Sequence, residues 1–259
     1  MPRTSLEDLQ PELATAIRAN EAVVLSYLST LSFIVMQGAR DPSFRDTHVF
    51  SYLAQDLLQS AMALIILPRE GILNAAKREL RFVLEASIKL AFVEQEGTTA
   101  TVQEKLERFD KELASAKISV KNALKLQLLP EADRDAFRVE VGRLFSLTSG
   151  YVHLTPSQIL ESISAAEAGI TAGKERPSDV ESLTSVVERV LAVSLVLLFH
   201  AFPYWVAGDW MVEENGLSNR WHFSASRFVA AMDSEFDYKH ERQKSLPQIQ
   251  RDRQARIRF

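Results

Sequence analysis

The clearest candidate for chemistry is a polar stripe along an otherwise apolar segment. Asn74, Arg78, Arg81 and Glu85 are spaced by four, three and four residues, which places them on one face of a helix. Arg81 and Glu85 lie one helical turn apart and can form an ion pair. An arginine held by a carboxylate in this way is suited to binding a phosphate group. The alternative is that the stripe is a solvated surface whose ion pair has only a structural role.

The second candidate is His153, which lies in a short connector before a predicted helix. Thr155 followed by Pro156 is typical of a helix start, with threonine as N-cap and proline at the first helical position. A helix N-terminus attracts anions and favours the neutral form of a nearby imidazole. His153 is therefore placed to act as a general base or acid beside a bound phosphate. The alternative is that His153 only hydrogen-bonds the connector or fills a gap.

Other catalytic chemistries find no support in the sequence. The chain has no cysteine, which excludes disulfides, thiolate nucleophiles and cysteine zinc sites. Its five histidines form no pair at the i, i+4 spacing of a helical zinc site. Residues 169–175 have three residues between Gly169 and Gly173, where a phosphate-binding loop needs four, and Glu175 replaces its Ser or Thr. We therefore predict no metal site and no cofactor.

Apolar residues recur at helical spacing almost throughout, and glycine and proline number only nine each. We predict an all-α fold, a helical bundle of about six to eight helices, with residues 1–237 as one domain. The predicted helices cover residues 11–37, 47–67, 72–96, 99–128, 130–150, 155–169 and 224–236, together with a long apolar helix opened by a capping box at Ser178 to Glu181.

Two segments raise the question of location. Residues 190–208 form a nineteen-residue stretch with no Asp, Glu, Lys or Arg, which is long enough to span a membrane. The stretch contains His200 and Pro203 and follows a capping box typical of soluble proteins, so we predict a buried bundle helix instead. The N-terminus has no basic region followed by an apolar run, and we expect a cytoplasmic protein.

The charge is unevenly distributed along the chain. The net charge is −4, but residues 239–259 contain seven Lys and Arg against two Asp and Glu. We predict that residues 238–259 are a basic, flexible tail. The alternative is that the tail binds nucleic acid or an acidic face of a partner.

Two sequence segments resemble a known family. Residues 74–85 resemble the "arginine, then leucine-glutamate" helix of a bacterial family of unknown function. Residues 147–156, with Leu147-Thr148-Ser149 before Tyr151-Val152-His153, resemble the later "leucine-serine, then valine-histidine" segment of that family. The family is grouped with the HEPN-like helical proteins (higher eukaryotes and prokaryotes nucleotide-binding). The resemblance covers about 90 residues and its motifs are short.

The resemblance implies a helical bundle that is often dimeric. Many HEPN-like relatives are metal-independent ribonucleases of antiphage defence or toxin systems, in which an arginine precedes the catalytic histidine by four to six residues. His153 matches that histidine, but Ser149 stands four residues before it and Arg143 ten before it. Either Arg81 supplies the cation from the earlier helix, or the catalytic motif is absent.

The sequence thus leads to two functional hypotheses. In the first, a HEPN-like endoribonuclease uses His153 as base or acid and Arg81 to stabilise the charged phosphorane, with Glu85 orienting Arg81. Its substrate contacts are assigned to the following side chains: Arg78, Arg143, Tyr151 and Thr155. In the second, a non-catalytic helical module binds a protein or nucleic acid. The expected partners are a second copy of the chain, RNA, and a protein such as an antitoxin.

Overall fold

The protein is described here by a computed structural model that covers residues 6–95, 97–113, 118–152, 155–169 and 175–259. Within these ranges the chain forms eleven α-helices and no β-strand, which confirms the all-α prediction. The helices are α1 Pro11–Gly38, α2 Phe44–Thr47, α3 Phe50–Arg69, α4 Leu73–Glu94, α5 Val102–Leu113, α6 Glu131–Ser149, α7 Pro156–Glu167, α8 Pro177–His200, α9 Tyr204–Met211, α10 Arg227–Ser234 and α11 Leu246–Arg256. The count exceeds the predicted six to eight because α2, α9 and α11 are too short to give a long apolar repeat.

Helix α8 forms the centre of the bundle, and α1 and α4 pack along it, with α3 against both. Every residue from Val190 to Phe199 is buried, as expected for a helix that is apolar on all sides. Three hydroxyl groups meet in this core. Ser194 of α8 lies 2.9 Å from the Tyr27 hydroxyl of α1 and 2.5 Å from the Ser87 hydroxyl of α4. These hydrogen bonds fix the register of the three helices because a buried hydroxyl needs a partner.

Three helices are long and apolar enough to cross a membrane by length and composition: α1, α3 and α8. In the most apolar window of α8, 67% of the residues are buried inside the fold, compared with 39% for α1 and 28% for α3. The predicted buried helix over 190–208 is correct only up to its α8 part, which is buried from Val190 to Phe199. The helix ends at His200, and α9 begins at Tyr204, with Tyr204 and Trp205 exposed, because Pro203 cannot continue the helix. The outer faces of α1 and α3 are open.

The structure corrects two helix boundaries. The helix predicted over 99–128 ends with α5, and a 3-10 helix follows at Ile118–Ala123. Leu124, Leu126 and Leu128 are all buried, in a segment that has no regular secondary structure up to residue 126 and turns at residues 127–129. Helix α8 begins at Pro177, where the Asp179 carboxylate accepts from the Arg176 backbone N–H at 2.9 Å. The capping box therefore starts two residues before the predicted Ser178.

The C-terminal residues form a packed helix rather than an extended tail. Arg253 of α11 donates to the carboxylates of Asp233 and Asp237, at 2.6 and 3.0 Å. The backbone at the end of the segment also contacts the domain, since Arg227 N–H donates to the Phe259 carbonyl at 2.7 Å. The prediction of flexibility rested on the excess of basic residues, and two aspartates of the preceding segment neutralise part of that excess.

Candidate active site

Arg81 lies in the middle of α4, in the interface with α6. Its residue surface is only 7% exposed, although the sequence places it on the polar stripe of the helix. The guanidinium carbon stacks over the ring of Phe145 at 3.4 Å from its centroid. A planar guanidinium on an aromatic face is a favourable contact that also covers one side of the charge. Arg81 is therefore held between two helices rather than in bulk solvent.

Ser149 of α6 receives one of the N–H groups of Arg81. Phe145 and Ser149 are one helical turn apart, so both face α4. The Ser149 hydroxyl donates to the Phe145 carbonyl at 2.6 Å, which directs its free lone pair outward. Arg81 Nε donates to this oxygen at 3.2 Å. Ser149, four residues before His153 in the sequence, thus contacts the arginine of another helix.

Glu85 holds the other side of the guanidinium. Its Oε2 lies 2.9 Å from Arg81 Nη1, and its Oε1 lies 2.6 Å from Lys89 Nζ. Burial alone would raise the pKa of Glu85, but the ion pairs with Lys89 and Arg81 outweigh it and hold the pKa below its ordinary value. Burial lowers the pKa of Arg81 against the opposing effect of Glu85. At neutral pH the carboxylate is ionised and shared by two cations.

One edge of the Arg81 guanidinium has no hydrogen-bond acceptor within the part of the chain that the structure describes. Nη1, which lies 2.9 Å from Glu85 Oε2, is buried and makes no hydrogen bond of good geometry among the described residues. Nη2 makes none either, and it is not buried. This N–H group therefore reaches solvent while the rest of the side chain is fixed. A fixed cation with a free N–H edge can donate to a phosphate oxygen without rearranging.

Tyr151 contacts α4 through Lys77, which lies one helical turn before Arg81. Lys77 Nζ lies 4.1 Å from the centroid of the Tyr151 ring. Lys77 also pairs with Glu161 of α7 at 3.3 Å, which ties α7 to α4. The structure therefore brings together Arg81, Glu85 and Tyr151 from the predicted set, with Lys77 as a further cation.

The remaining predicted residues are dispersed. Arg78 is exposed, one turn before Arg81 on α4. Thr155 is the N-cap of α7 as predicted, and its hydroxyl accepts from Gln158 N–H at 3.2 Å. Arg143 binds Glu140 through two hydrogen bonds of 2.8 Å. Arg143 and Phe145 are two residues apart in α6, about 200° around the helix, so Arg143 points away from Arg81.

His153 lies outside the described residues. The described chain reaches Val152, whose N–H donates to the Ser149 carbonyl at 3.1 Å, and resumes at Thr155. The relation of His153 to Arg81 therefore stays a prediction from the sequence. Within the described ranges, no group of three or more His, Asp or Glu side chains converges as metal ligands would.

Sequence reasoning missed Phe145, Ser149 and Lys77 as parts of this site. The i, i+4 spacing of Phe145 and Ser149 signals a shared helix face, but nothing in the sequence pairs that face with α4. Comparison of the chain with models of protein families, with curated proteins and with solved structures found no match. The chemistry of the site therefore has to be argued from its own side chains.

Proposed function

We propose that the protein is HEPN-like and cleaves RNA without a metal ion, in an antiphage defence or toxin system. One observation carries the proposal. Arg81 is buried and fixed by Phe145, Ser149 and Glu85, yet it keeps a free N–H edge beside the segment that leads to His153. In this proposal Arg81 takes the part of the arginine in the arginine and histidine pair that the resemblance implies, although it comes from a different helix.

Arg81 would stabilise the charge that develops in RNA cleavage. Attack of the 2′-hydroxyl on the adjacent phosphorus gives a phosphorane whose oxygens carry more negative charge than the substrate. A cation already held in place stabilises that charge without a reorganisation cost. Glu85 keeps the guanidinium oriented, and its charge is balanced by Lys89 at 2.6 Å. The site therefore retains positive potential for a phosphate.

His153 would move the protons. As a base it removes the 2′-hydroxyl proton, and as an acid it protonates the leaving 5′-oxygen. Tyr151 would contact the nucleotide, and Lys77 and Arg78 of the same α4 face would attract the RNA backbone. The protein is proposed to act as a cytoplasmic homodimer without a cofactor, and an antitoxin is a further candidate partner.

A second candidate function is a non-catalytic module that binds a protein or nucleic acid, and α7 favours a protein partner. Three of its apolar side chains are open to solvent: Ile159 at 45%, Leu160 at 64% and Ile163 at 48%. A helix of twelve residues is marginal alone, and its apolar residues stabilise it only when covered. Ile159 and Ile163 lie two residues from Glu161, about 200° around the helix, so a partner on this face would cover α7 on the side away from Lys77.

The deciding experiment is RNA cleavage by the full-length chain in EDTA. Wild-type protein should cut a labelled RNA and leave 2′,3′-cyclic phosphate ends, because the 2′-hydroxyl is the nucleophile. His153→Ala should lower the rate about 10²- to 10⁴-fold, the usual effect of removing a positioned acid or base. Arg18→Ala, which removes an exposed arginine of α1, is the matched control and should leave the rate unchanged.

Two results would reject the ribonuclease proposal. The first is no cleavage by wild-type protein in EDTA, alone or with its native partner. The second is full activity of a folded His153→Ala variant. The first result leaves the binding module as the remaining function, and Ile163→Glu should then abolish capture of a protein partner. The second result would show that RNA is cleaved at a different site of the chain.

A further inference from the structure

A cleft of about 270 Å³ opens at the end of the bundle where α4 and α8 finish. Glu94 and His200, the last residues of these helices, both line it. Thirteen residues of α4 separate Glu94 from Arg81, which is about 20 Å of helix. The cleft is therefore a separate site that the proposed ribonuclease chemistry does not use. Its volume is near the lower end for ligand pockets, which begin at about 300 Å³.

The wall of the cleft contains a buried imidazole with an open nitrogen. His48 is 4% exposed and stacks on Phe202 at 5.6 Å between ring centroids. Its Nδ1 lies 3.0 Å from the Thr47 hydroxyl, which itself donates to the Ser43 carbonyl at 2.9 Å. The hydroxyl must then accept from Nδ1–H, so the proton is on Nδ1 and Nε2 is a lone-pair acceptor. Nε2 has no partner among the described residues.

His48 stays neutral at physiological pH. Burial and the nearby Lys105 lower its pKa to about 4, against a smaller opposing effect of Asp41. Lys105 itself is paired with Glu94, at 2.6 Å between two fully enclosed side chains. Burial raises the pKa of Glu94 although Lys105 opposes this. The inner end of the cleft therefore presents a compensated ion pair and an uncharged acceptor, which does not favour a charged ligand.

The opposite wall supplies amide groups and flat apolar surface. Gln95 accepts the Lys125 backbone N–H through its carbonyl oxygen at 3.0 Å, which leaves its NH₂ group for a ligand. Gln127 lines the cleft with an exposed carboxamide that can donate and accept. Pro203 and Tyr204, the latter 39% exposed, give the cleft an apolar rim. These groups match a planar ligand with both donors and acceptors on its edge.

We propose that this cleft binds a small, uncharged, planar heterocycle of the nucleobase type. An N–H or amino group of the ligand donates to His48 Nε2, and its carbonyl or ring nitrogen accepts from Gln95 or Gln127. The ring lies against Tyr204. Loss of one such hydrogen bond in an enclosed site reduces affinity by about tenfold.

The test is binding of adenosine, guanosine, cytidine and uridine to the full-length chain, measured by calorimetry and by ¹⁵N NMR of the histidines. At least one nucleoside should bind with a dissociation constant below about 1 mM and shift the Nε2 resonance of His48. His48→Phe, which keeps an aromatic ring on Phe202, should weaken binding about tenfold, and Gln127→Ala should weaken it several-fold. Gln59→Ala, on the exposed face of α3, is the matched control and should bind as wild type does.

Three outcomes would overturn the proposal. They are no shift of His48 with any nucleoside at millimolar concentration, undiminished binding by both His48→Phe and Gln127→Ala, and equal binding of cyclohexanol, which would indicate an apolar cavity only. If His48→Phe does not fold, the wild-type His48 resonance and the exposed Gln127→Ala variant carry the test.

Discussion

Arg81 and Arg242 are both buried arginines, yet their surroundings differ. Arg242 is 0% exposed and donates four hydrogen bonds, to the Asp233 carboxylate and carbonyl, Asp237 and Ser218. Arg81 donates one hydrogen bond, to Ser149, and forms one ion pair, with Glu85. Both terminal nitrogens of Arg242 are hydrogen-bonded, whereas Nη2 of Arg81 makes no hydrogen bond to any residue that the structure describes.

The difference separates a cation that joins helices from one that can bind a ligand. A buried charge is stable only when paired and hydrogen-bonded, and the two terminal nitrogens of Arg242 meet this need within the protein, although its buried Nε has no hydrogen-bond partner among the described residues. Arg81 meets it in part and leaves donor capacity toward solvent. The same contrast holds for two histidines, since both ring nitrogens of His200 are hydrogen-bonded whereas Nε2 of His48 is open among the described residues.

The largest stability effect should come from Arg242→Ala. It leaves Asp233 and Asp237 with Arg253 as their remaining cation, so we expect a loss of about 3 kcal/mol in the free energy of unfolding, at the lower end for a broken buried pair. Arg81→Ala should cost about 1–2 kcal/mol, because Glu85 keeps Lys89. Urea denaturation of both variants measures this order. The reverse order would make Arg81 the structural residue.

Acid should destabilise the fold through His200, because both ring nitrogens of the neutral imidazole are hydrogen-bonded and cannot take up a proton without loss. Burial lowers its pKa to about 4, and the charge of Arg134 contributes to the shift, whereas an unfolded histidine titrates near 6.5. The unfolded state therefore takes up the proton first, and stability falls as the pH drops from about 6.5 to 4. Between pH 7 and 5 this histidine should account for about 2 kcal/mol of lost stability. Urea denaturation of wild type and His200→Gln at both pH values measures how much of the lost stability comes from His200. If the variant loses as much stability between pH 7 and pH 5 as wild type does, the pH dependence belongs to other groups.

The smallest effect is expected for Arg143→Ala. Its side chain is 44% exposed and shares Glu140 with Arg189, so removing it should change stability by less than about 0.5 kcal/mol. Because Arg143 points away from Arg81, RNA cleavage should fall less than about threefold, a loss of under 1 kcal/mol. A much larger loss of cleavage, measured as the rate in EDTA, would show that substrate crosses the far face of α6.

Much of the fold could be predicted from the sequence because the apolar repeat and the helix-start residues are local signals. The limits of α1 and α4 and the Thr155 cap followed from them. Segments that pack against the domain without an apolar repeat of their own could not be predicted. Helix α11 is held by Arg253 against two aspartates that lie sixteen and twenty residues away, and no local pattern signals such a pairing.

The candidate site was predicted in part for the same reason. The pair of Arg81 and Glu85 lies within one helix, so its spacing showed it. Ser149 is 68 residues from Arg81 in sequence, and only the packing of α6 on α4 makes it an acceptor. The burial of Arg81 was likewise hidden, because a polar stripe looks the same whether it faces solvent or another helix.

The cleavage rate of Arg81→Ala in EDTA, measured beside its melting temperature, tests the central claim most directly. We predict that the variant stays folded and that the rate falls about 10²- to 10⁴-fold, because the fixed cation contributes to the same transition state as His153. Arg81→Lys should recover only part of the rate, since its single ammonium nitrogen cannot reproduce the separate donor positions of the guanidinium or its stacking on Phe145. A folded Arg81→Ala variant that cleaves RNA as fast as wild type would contradict the account.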